Sequence, residues 1–385
     1  MLRPLAKAAV YNVARHTPHL RPRPLNLTFS VTYVCNARCK TCNVWKKRVD
    51  DLTLPEYRRI FDAIGSSLYW ATFSGGEPFI RPDLIDIVLA CYDRCRPSII
   101  TIPTNGLLRT EIVEGVARLS RLAPDAKIII NFSLDGIGPR HDELRGVPGN
   151  YERMRETYKE LKAAGHPNVT VGIHAVVSQF NVTEIPALRE HVRREFVPDS
   201  FITEIAEERL ELDTIGCEIT PTADAYRAVV DDLVADIDAT PAAGLPALVQ
   251  AFRREYYEVA HRTMVEQRQV LPCYAGLASA QVAPNGDVWT CCIRAESMGN
   301  LRETGFDFLK VWSSTRADEL RGSIRRGECH CPLANAAYSS MMSDPSSMVR
   351  VGWRWITRQL FPPNRLRTAS PLQPPAPAAS SEAVR

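Results

Sequence analysis

Three cysteines crowd into eight residues, Cys35-Asn36-Ala37-Arg38-Cys39-Lys40-Thr41-Cys42, at C-x3-C-x2-C spacing. Thiolates are soft metal ligands, and three on one short loop can hold three irons of a [4Fe-4S] cluster. A structural zinc asks instead for four protein ligands in a closed tetrahedron. The fourth iron of such a cluster would stay open, and S-adenosylmethionine (SAM) carries the amine and carboxylate that could chelate it. Farther along, Cys273, Cys291, Cys329 and Cys331 form a second set able to close a four-thiolate site, with Cys292 competing for the place of Cys291 and zinc an alternative occupant. The cysteine total of 11 is odd and the chain is long, which fits metal ligation in a reducing cytoplasm better than a secreted disulfide framework. Cys91 and Cys95, four apart on a predicted helix, read as small buried hydrophobes, and Cys217 stands alone.

The loop needs a scaffold, and the flanking pattern supplies one. Leu25 to Tyr33 alternates as a strand, and strands are also predicted over Leu68–Phe73, Ile99–Pro103, Lys127–Leu134, Val169–Val177 and Phe201–Ala206. Helices fall between them: Thr53 and Pro55 open one through Ile64, and others cover Pro82–Tyr92, a stretch capped by Thr110, Asn150–Ala164 closed by Gly165, and a stretch capped by Thr183. Strands alternating with helices mean a parallel sheet with right-handed crossovers. Six units are two short of a closed eight-stranded barrel, so the expected fold is α/β, a partial (β/α)6 barrel with a small C-terminal module.

Polar signals recur at strand ends, the ligand-binding face of parallel α/β folds. Gly75-Gly76-Glu77-Pro78 follows the second strand, Thr104-Asn105-Gly106 the third, and Ser133 with Asp135 the fourth. Arg145 comes twelve residues after Ser133, and His174 lies on the fifth strand, as a core histidine or a ligand contact. Glu204, Glu207 and Glu208 form an acidic run at the sixth, solvated or facing a substrate.

Taken together, the C-x3-C-x2-C loop after the first strand and Gly75-Gly76-Glu77-Pro78 after the second resemble the radical SAM superfamily. The resemblance implies that Cys35, Cys39 and Cys42 hold a [4Fe-4S] cluster whose open iron chelates SAM. One-electron reduction then yields methionine and a 5′-deoxyadenosyl radical that abstracts hydrogen from substrate. It further implies that Gly75, Gly76, Glu77 and Pro78 meet the amino end of the methionine moiety. Ser133 and Arg145 would hold its carboxylate, and Asn105, Asp135 and His174 would lie near the methionine or ribose. The segment from Cys273 to Cys331 is similar to the twitch or SPASM module that binds an auxiliary [4Fe-4S] cluster, although Cys291-Cys292 is adjacent and Cys329-His330-Cys331 has C-x-C spacing. A flavodoxin- or ferredoxin-type electron donor follows as a partner. The expected function is a radical SAM enzyme, oxidoreductase-type, acting on a small molecule, sugar-like or lipid-linked. The alternatives are a ribosomal peptide maturase of the SPASM type, for which no spare N-terminal region reads as a leader-binding domain, and a non-catalytic iron-sulfur or zinc scaffold.

The expected organisation is a basic segment over residues 1–24, the barrel over 25–210, a helical bridge over 211–270, the auxiliary-cluster module over 271–335, a basic amphipathic segment over 336–361 and a disordered tail over 362–385. Within the module, Pro284-Asn285-Gly286-Asp287 reads as a hairpin turn and 308–324 as one helix. The net charge of +3 over 385 residues gives no case for nucleic acid. No apolar run reaches the roughly 18 residues of a membrane span, and Met1–Leu20 lacks the h-region and cleavage site of a signal peptide. Both ends are locally basic: Leu2, Leu5, Ala9, Val10 and Val13 can share one helical face among arginines and a lysine, and Arg350, Arg354 and Arg358 recur at i, i+4 beside Trp353 and Trp355. Such segments either pack on the domain or lie on an anionic membrane surface, which makes peripheral contact with the inner face of the membrane an expectation.

Overall fold

The computed structural model describes residues 2–17 and 20–360. The first part of the chain alternates as the pattern predicts. It runs α1 (Leu2–His16), β1 (Asn26–Thr32), α2 (Leu54–Ile64), β2 (Trp70–Gly75), α3 (Leu84–Cys95), β3 (Ile99–Thr104), α4 (Arg109–Leu122) and β4 (Lys127–Ser133). It continues through α5 (Pro139–Arg145), α6 (Asn150–Ala164), β5 (Val169–Val177), α7 (Ile185–Glu195) and β6 (Ser200–Ile205). The second part holds α8 (Ala223–Ala239), α9 (Gly244–Glu266), β7 (Ser279–Val282), β8 (Asp287–Trp289) and β9 (Ser297–Asn300). It ends in α10 (Phe308–Trp312), α11 (Thr315–Arg325), α12 (Ala334–Ser343) and α13 (Pro345–Leu360).

Among the described residues one sheet has the order β6-β5-β4-β3-β2-β1-β7-β8-β9. β1 through β6 are parallel, as a partial barrel requires. β7 pairs parallel with the free edge of β1, Asn26 opposite Ser279, so the predicted hairpin continues the barrel sheet and covers its edge.

Strand alternation decides which side chains look inward. Leu27, Phe29 and Val31 of β1 point to the helix layer and are fully buried, Phe29 stacking on Phe73 and meeting Phe61 of α2 edge-on. Thr28 and Ser30 point the other way, into a cavity, as do Thr72 and Ser74 of β2, Thr101 of β3 and Asn131 of β4. Bulk outside and small polar side chains inside leave the barrel hollow at its carboxyl end.

Several local expectations change. Thr110 and Thr183 do not cap helices: α4 begins at Arg109, and Thr183 sits inside a short 3-10 turn before α7. The helix predicted over 308–324 breaks at Ser313-Ser314, because the Ser314 hydroxyl accepts from the Ala317 N–H at 3.1 Å and starts α11 afresh. α1 packs on the domain through Tyr11 and Ala14, leaving Val10 and Val13 exposed, and Tyr11 donates to the Arg23 carbonyl at 2.7 Å. The arginines of α13 are also spent within the fold. Arg350 and Arg354 reach the buried Glu255 at 2.6 and 3.2 Å, and Arg358 donates to the Ile237 and Thr240 carbonyls at the end of α8. Part of the positive charge that would face an anionic membrane surface is therefore matched by Glu255 within the fold. No helix among the described residues is long and apolar enough to cross a membrane. The tail predicted to be disordered, 362–385, lies outside the described residues.

Candidate functional site

The segment after β1 is held by backbone contacts that also set its cysteines. The Arg38 N–H donates to the Arg145 carbonyl and the Lys40 N–H to the Leu144 carbonyl, each at 2.9 Å. A Cβ on Gly146 would lie 2.4 Å from the Arg38 carbonyl oxygen, so only glycine lets the end of α5 dock here. Gly75 and Gly76 act in the same way: a Cβ would come within 2.2 Å of the Thr32 carbonyl oxygen and 2.1 Å of the Val34 carbonyl oxygen, respectively. The close approach that these glycines allow is therefore to the backbone leading into the cysteines.

At the carboxyl ends of the strands lies a cavity of about 350 Å³ whose walls include Cys35, Cys39 and Cys42. Burial pushes the Cys35 thiol up to about 11 and the Cys42 thiol up to about 12, and the neighbouring Cys39 adds to both. The guanidinium of Arg145 stands against them, its Nη1 3.7 Å from Cys39 Sγ. Gly75, Gly76, Glu77, Asn105, Ser133, Arg145 and His174 line the same cavity, so residues spread over 140 positions of sequence converge there.

Their partners sort the roles. Glu77 is fully buried and accepts from the Asn105 N–H at 2.7 Å, the Thr104 hydroxyl at 2.9 Å and the Phe79 N–H at 3.3 Å; burial pushes its carboxyl up to about 7, and these donors hold it from going higher. Asn105 donates onward to the Asn36 side chain at 2.7 Å, tying the third strand's end to the cysteine segment. His174 stands opposite Ser133 in the β4–β5 register, its Nε2 3.4 Å from Glu204 Oε2, so it faces the cavity and is not a closed core histidine. Two of the candidate residues lie outside the lining. Asp135 does not reach the cavity, since one oxygen pairs with Arg145 Nη2 at 2.8 Å and the other accepts from the Val176 N–H at 2.8 Å. Pro78 opens a 3-10 turn and also lies outside the lining. Asp135 therefore positions Arg145, together with His141, whose Nδ1 accepts from the Asp135 N–H at 3.2 Å.

The opposite wall comes from the stretch after β6 and from the C-terminal module. Glu204, Glu207, Arg209 and Glu211 line it, with Tyr257, Cys292 and Tyr338. Glu208 instead accepts from the Gly216 and Glu218 N–H groups at 2.7 Å and braces its own loop. Cys292 is buried on this wall, 3.6 Å from Arg209 Nη1, while Cys291 does not line the cavity. Burial pushes the Cys273 thiol up to about 12, with Cys291 and Cys329 adding to it, and Cys331 is raised by burial and by Glu207, Cys273 and Cys291. The four predicted residues of the second set lie near one another, and Cys292 packs in the same cluster as Cys273, Cys291 and Cys331 while also reaching the cavity. Cys91 and Cys95 are buried in α3, as expected of small apolar residues. Arg209, Glu211, Tyr257, Tyr338 and the cavity-facing place of Cys292 carry no signal in the sequence, because separate segments after β6, on α9, after β8 and on α12 meet only in the fold.

Comparison with known proteins agrees with this geometry. Residues 29–192 match the model of the radical SAM superfamily, and residues 273–332 match the iron-sulfur cluster-binding domain SPASM. The chain thus combines a radical SAM domain with a C-terminal SPASM module. The pre-heme d1 synthase of Dinoroseobacter shibae is 31% identical over 46% of this chain, which spans only 41% of that relative. The mycofactocin maturase MftC of Mycobacterium tuberculosis is 26% identical over 80% of this chain and 75% of its own length. The structure of Streptococcus suis SuiB bound to S-adenosylmethionine superposes with a TM-score of 0.57 at 21% identity, covering 82% of this chain and 71% of that one, a likeness of fold. The cofactors that follow from the two matches are a [4Fe-4S] cluster with SAM and auxiliary iron-sulfur in the SPASM module. The residues present fit them: two separate sets of half-buried thiols, one on the wall of the open cavity and one in the C-terminal module. Among the described residues no three Cys, His, Asp or Glu side chains gather as a single-ion site requires.

Proposed function

We propose that this protein is a radical SAM maturase that modifies a peptide. The observation that carries the reading is the single cavity with the Cys35/Cys39/Cys42 segment on one wall and the Glu204–Glu211 stretch with Cys292 on the other. Coverage of most of the chain by a maturase, together with the SPASM match, favours the peptide reading over a sugar-like or lipid-linked substrate. Bound at Cys35, Cys39 and Cys42, the cluster with SAM would supply a 5′-deoxyadenosyl radical able to take a hydrogen atom from the substrate. The chain's own residues would do the rest. Arg145, held by Asp135, would take the SAM carboxylate through its fork of N–H donors. Glu77 and the backbone at Gly75-Gly76 would face its amino end, and Ser133, Asn105 and His174 would line the remainder. Cys273, Cys291, Cys329 and Cys331 would hold the auxiliary cluster, and buried side chains around the cavity would keep water from the reacting carbon.

The test is anaerobic reconstitution with iron and sulfide, reduction, and incubation with SAM and short peptides encoded beside the gene. Formation of 5′-deoxyadenosine and a peptide mass change are expected, with deuterium moving from labelled peptide into 5′-deoxyadenosine. No 5′-deoxyadenosine under reduction would rule out the enzyme reading; its formation with no peptide altered would rule out the substrate class.

A further inference from the structure

Most acids at the cavity are already matched to donors or cations. Glu77 has three donors, Glu211 accepts from Ser30 at 2.9 Å and from Gln281, and Glu204 lies beside His174. Glu207 differs. It is only 8% exposed, it lines the cavity, and its Oε2 has no hydrogen-bond partner among the described residues. The nearest cation, Arg209, stands 4.0 Å from it and donates to Cys292 Sγ instead. A buried carboxylate oxygen left without a donor is costly, on the order of 1–3 kcal/mol or more, and side chains rarely keep such an arrangement unless a ligand completes it.

The surroundings say which ligand. Four acidic side chains line the cavity (Glu77, Glu204, Glu207 and Glu211) against two guanidiniums, the charge of Arg145 is already matched by Asp135, and burial pushes the unpartnered Glu207 carboxyl up to about 8. The rings of Tyr257 and Tyr338 line the same wall, and aromatic faces attract cations. A neutral donor would satisfy the oxygen, whereas a cation would also stabilise the ionised carboxylate that burial disfavours.

Resting on the reading of this cavity as the substrate site, we propose that Glu207 anchors a subsite for a cationic nitrogen, the side chain of a lysine or arginine in the peptide. Bound there, an N–H of the ammonium or guanidinium donates to Glu207 Oε2, and the alkyl stem lies along the tyrosine wall. The substrate is thereby held between the two thiol sets by a group other than the one that reacts.

The proposal is tested by binding, not turnover. Reconstituted holoenzyme with SAM is titrated calorimetrically with Nα-acetyl-lysine amide, Nα-acetyl-arginine amide and the uncharged Nα-acetyl-norleucine amide. The two cations are expected to bind at least about tenfold more tightly than norleucine amide, the size of one charge-assisted hydrogen bond. Glu207→Gln should remove that preference while iron content and SAM affinity stay unchanged. Equal affinity of the three amides, or no saturable binding of any, overturns the subsite, and the wild-type comparison stands even if the variant fails to fold. A variant that loses SAM affinity and keeps the cation preference also overturns it. Assaying 5′-deoxyadenosine in the same preparation separates the two levels: cleavage of SAM without cation preference sinks the subsite alone, whereas absent cleavage sinks the parent reading.

Discussion

Asp135 and Arg145 stand 2.8 Å apart with side chains only 7% and 11% exposed, so each neutralises a charge the other would otherwise bury alone. Breaking such a pair from one side costs about 3–5 kcal/mol, whereas replacing both partners with neutral groups is often close to neutral. Asp135→Asn keeps an oxygen for the Val176 N–H, so its cost isolates the lost charge. Arg145→Met keeps most of the volume and strands the carboxylate. Each single variant is therefore expected to lose about 3–5 kcal/mol, and the double variant only about 2 kcal/mol relative to wild type. Urea unfolding of thiol-reduced, cluster-free protein, followed by far-UV circular dichroism, measures all four corners of the cycle. The coupling should reach at least about 3 kcal/mol. If the double variant instead equals the sum of the singles within about 0.5 kcal/mol, the two residues act independently and Asp135 does not position Arg145.

Three further outcomes follow from distances and burial. Gly76→Ala would force its Cβ to within 2.1 Å of the Val34 carbonyl oxygen, so after reconstitution it should lose the iron of the first site and keep that of the second, read by iron content and electron paramagnetic resonance. Cys291→Ala should remove auxiliary-cluster iron while Cys292→Ala leaves it, because Cys292 faces Arg209; equal losses would refute the assignment. Burial lowers His141 from its usual 6.5 to about 4, with Arg145 adding to the effect, so the fold holds it neutral. Its contribution to stability is whole above pH 6.5 and drains as pH falls toward 4, by up to about 3 kcal/mol in cluster-free protein. Denaturant midpoints across that window should flatten in His141→Gln, and an unchanged slope would refute the assignment.

Much of this could be read from residue types because the period of a strand is rigid. Once Leu25–Tyr33 alternates, Phe29 must face the helices and Ser30 the interior, and the Cys35 segment must leave from the carboxyl end. The Gly75-Gly76 pair was legible as a place of close approach, but not as an approach to Thr32 and Val34, since backbone proximity between consecutive βα units has no residue signature. Asp135 shows the opposite failure. A polar residue one step past a strand end reads as a ligand, and only the placement of Arg145 on α5, a helix the pattern did not predict, reveals where its charge goes.

The pairing of β1 with β7 explains why the second thiol set belongs to the same chemistry as the first. A SPASM module on a separate unit would set its distance from the barrel by a linker. Here Asn26 of β1 is bonded in register to Trp70 on one side and Ser279 on the other, so the strand that delivers Cys35 also locates the hairpin that delivers Cys291 and Cys292. Both follow β8 in the turn that leads to β9, where Cys292 lines the cavity beside Arg209 and Cys291 does not. The doubled cysteine that looked like a departure from the family spacing is thus two positions with two environments.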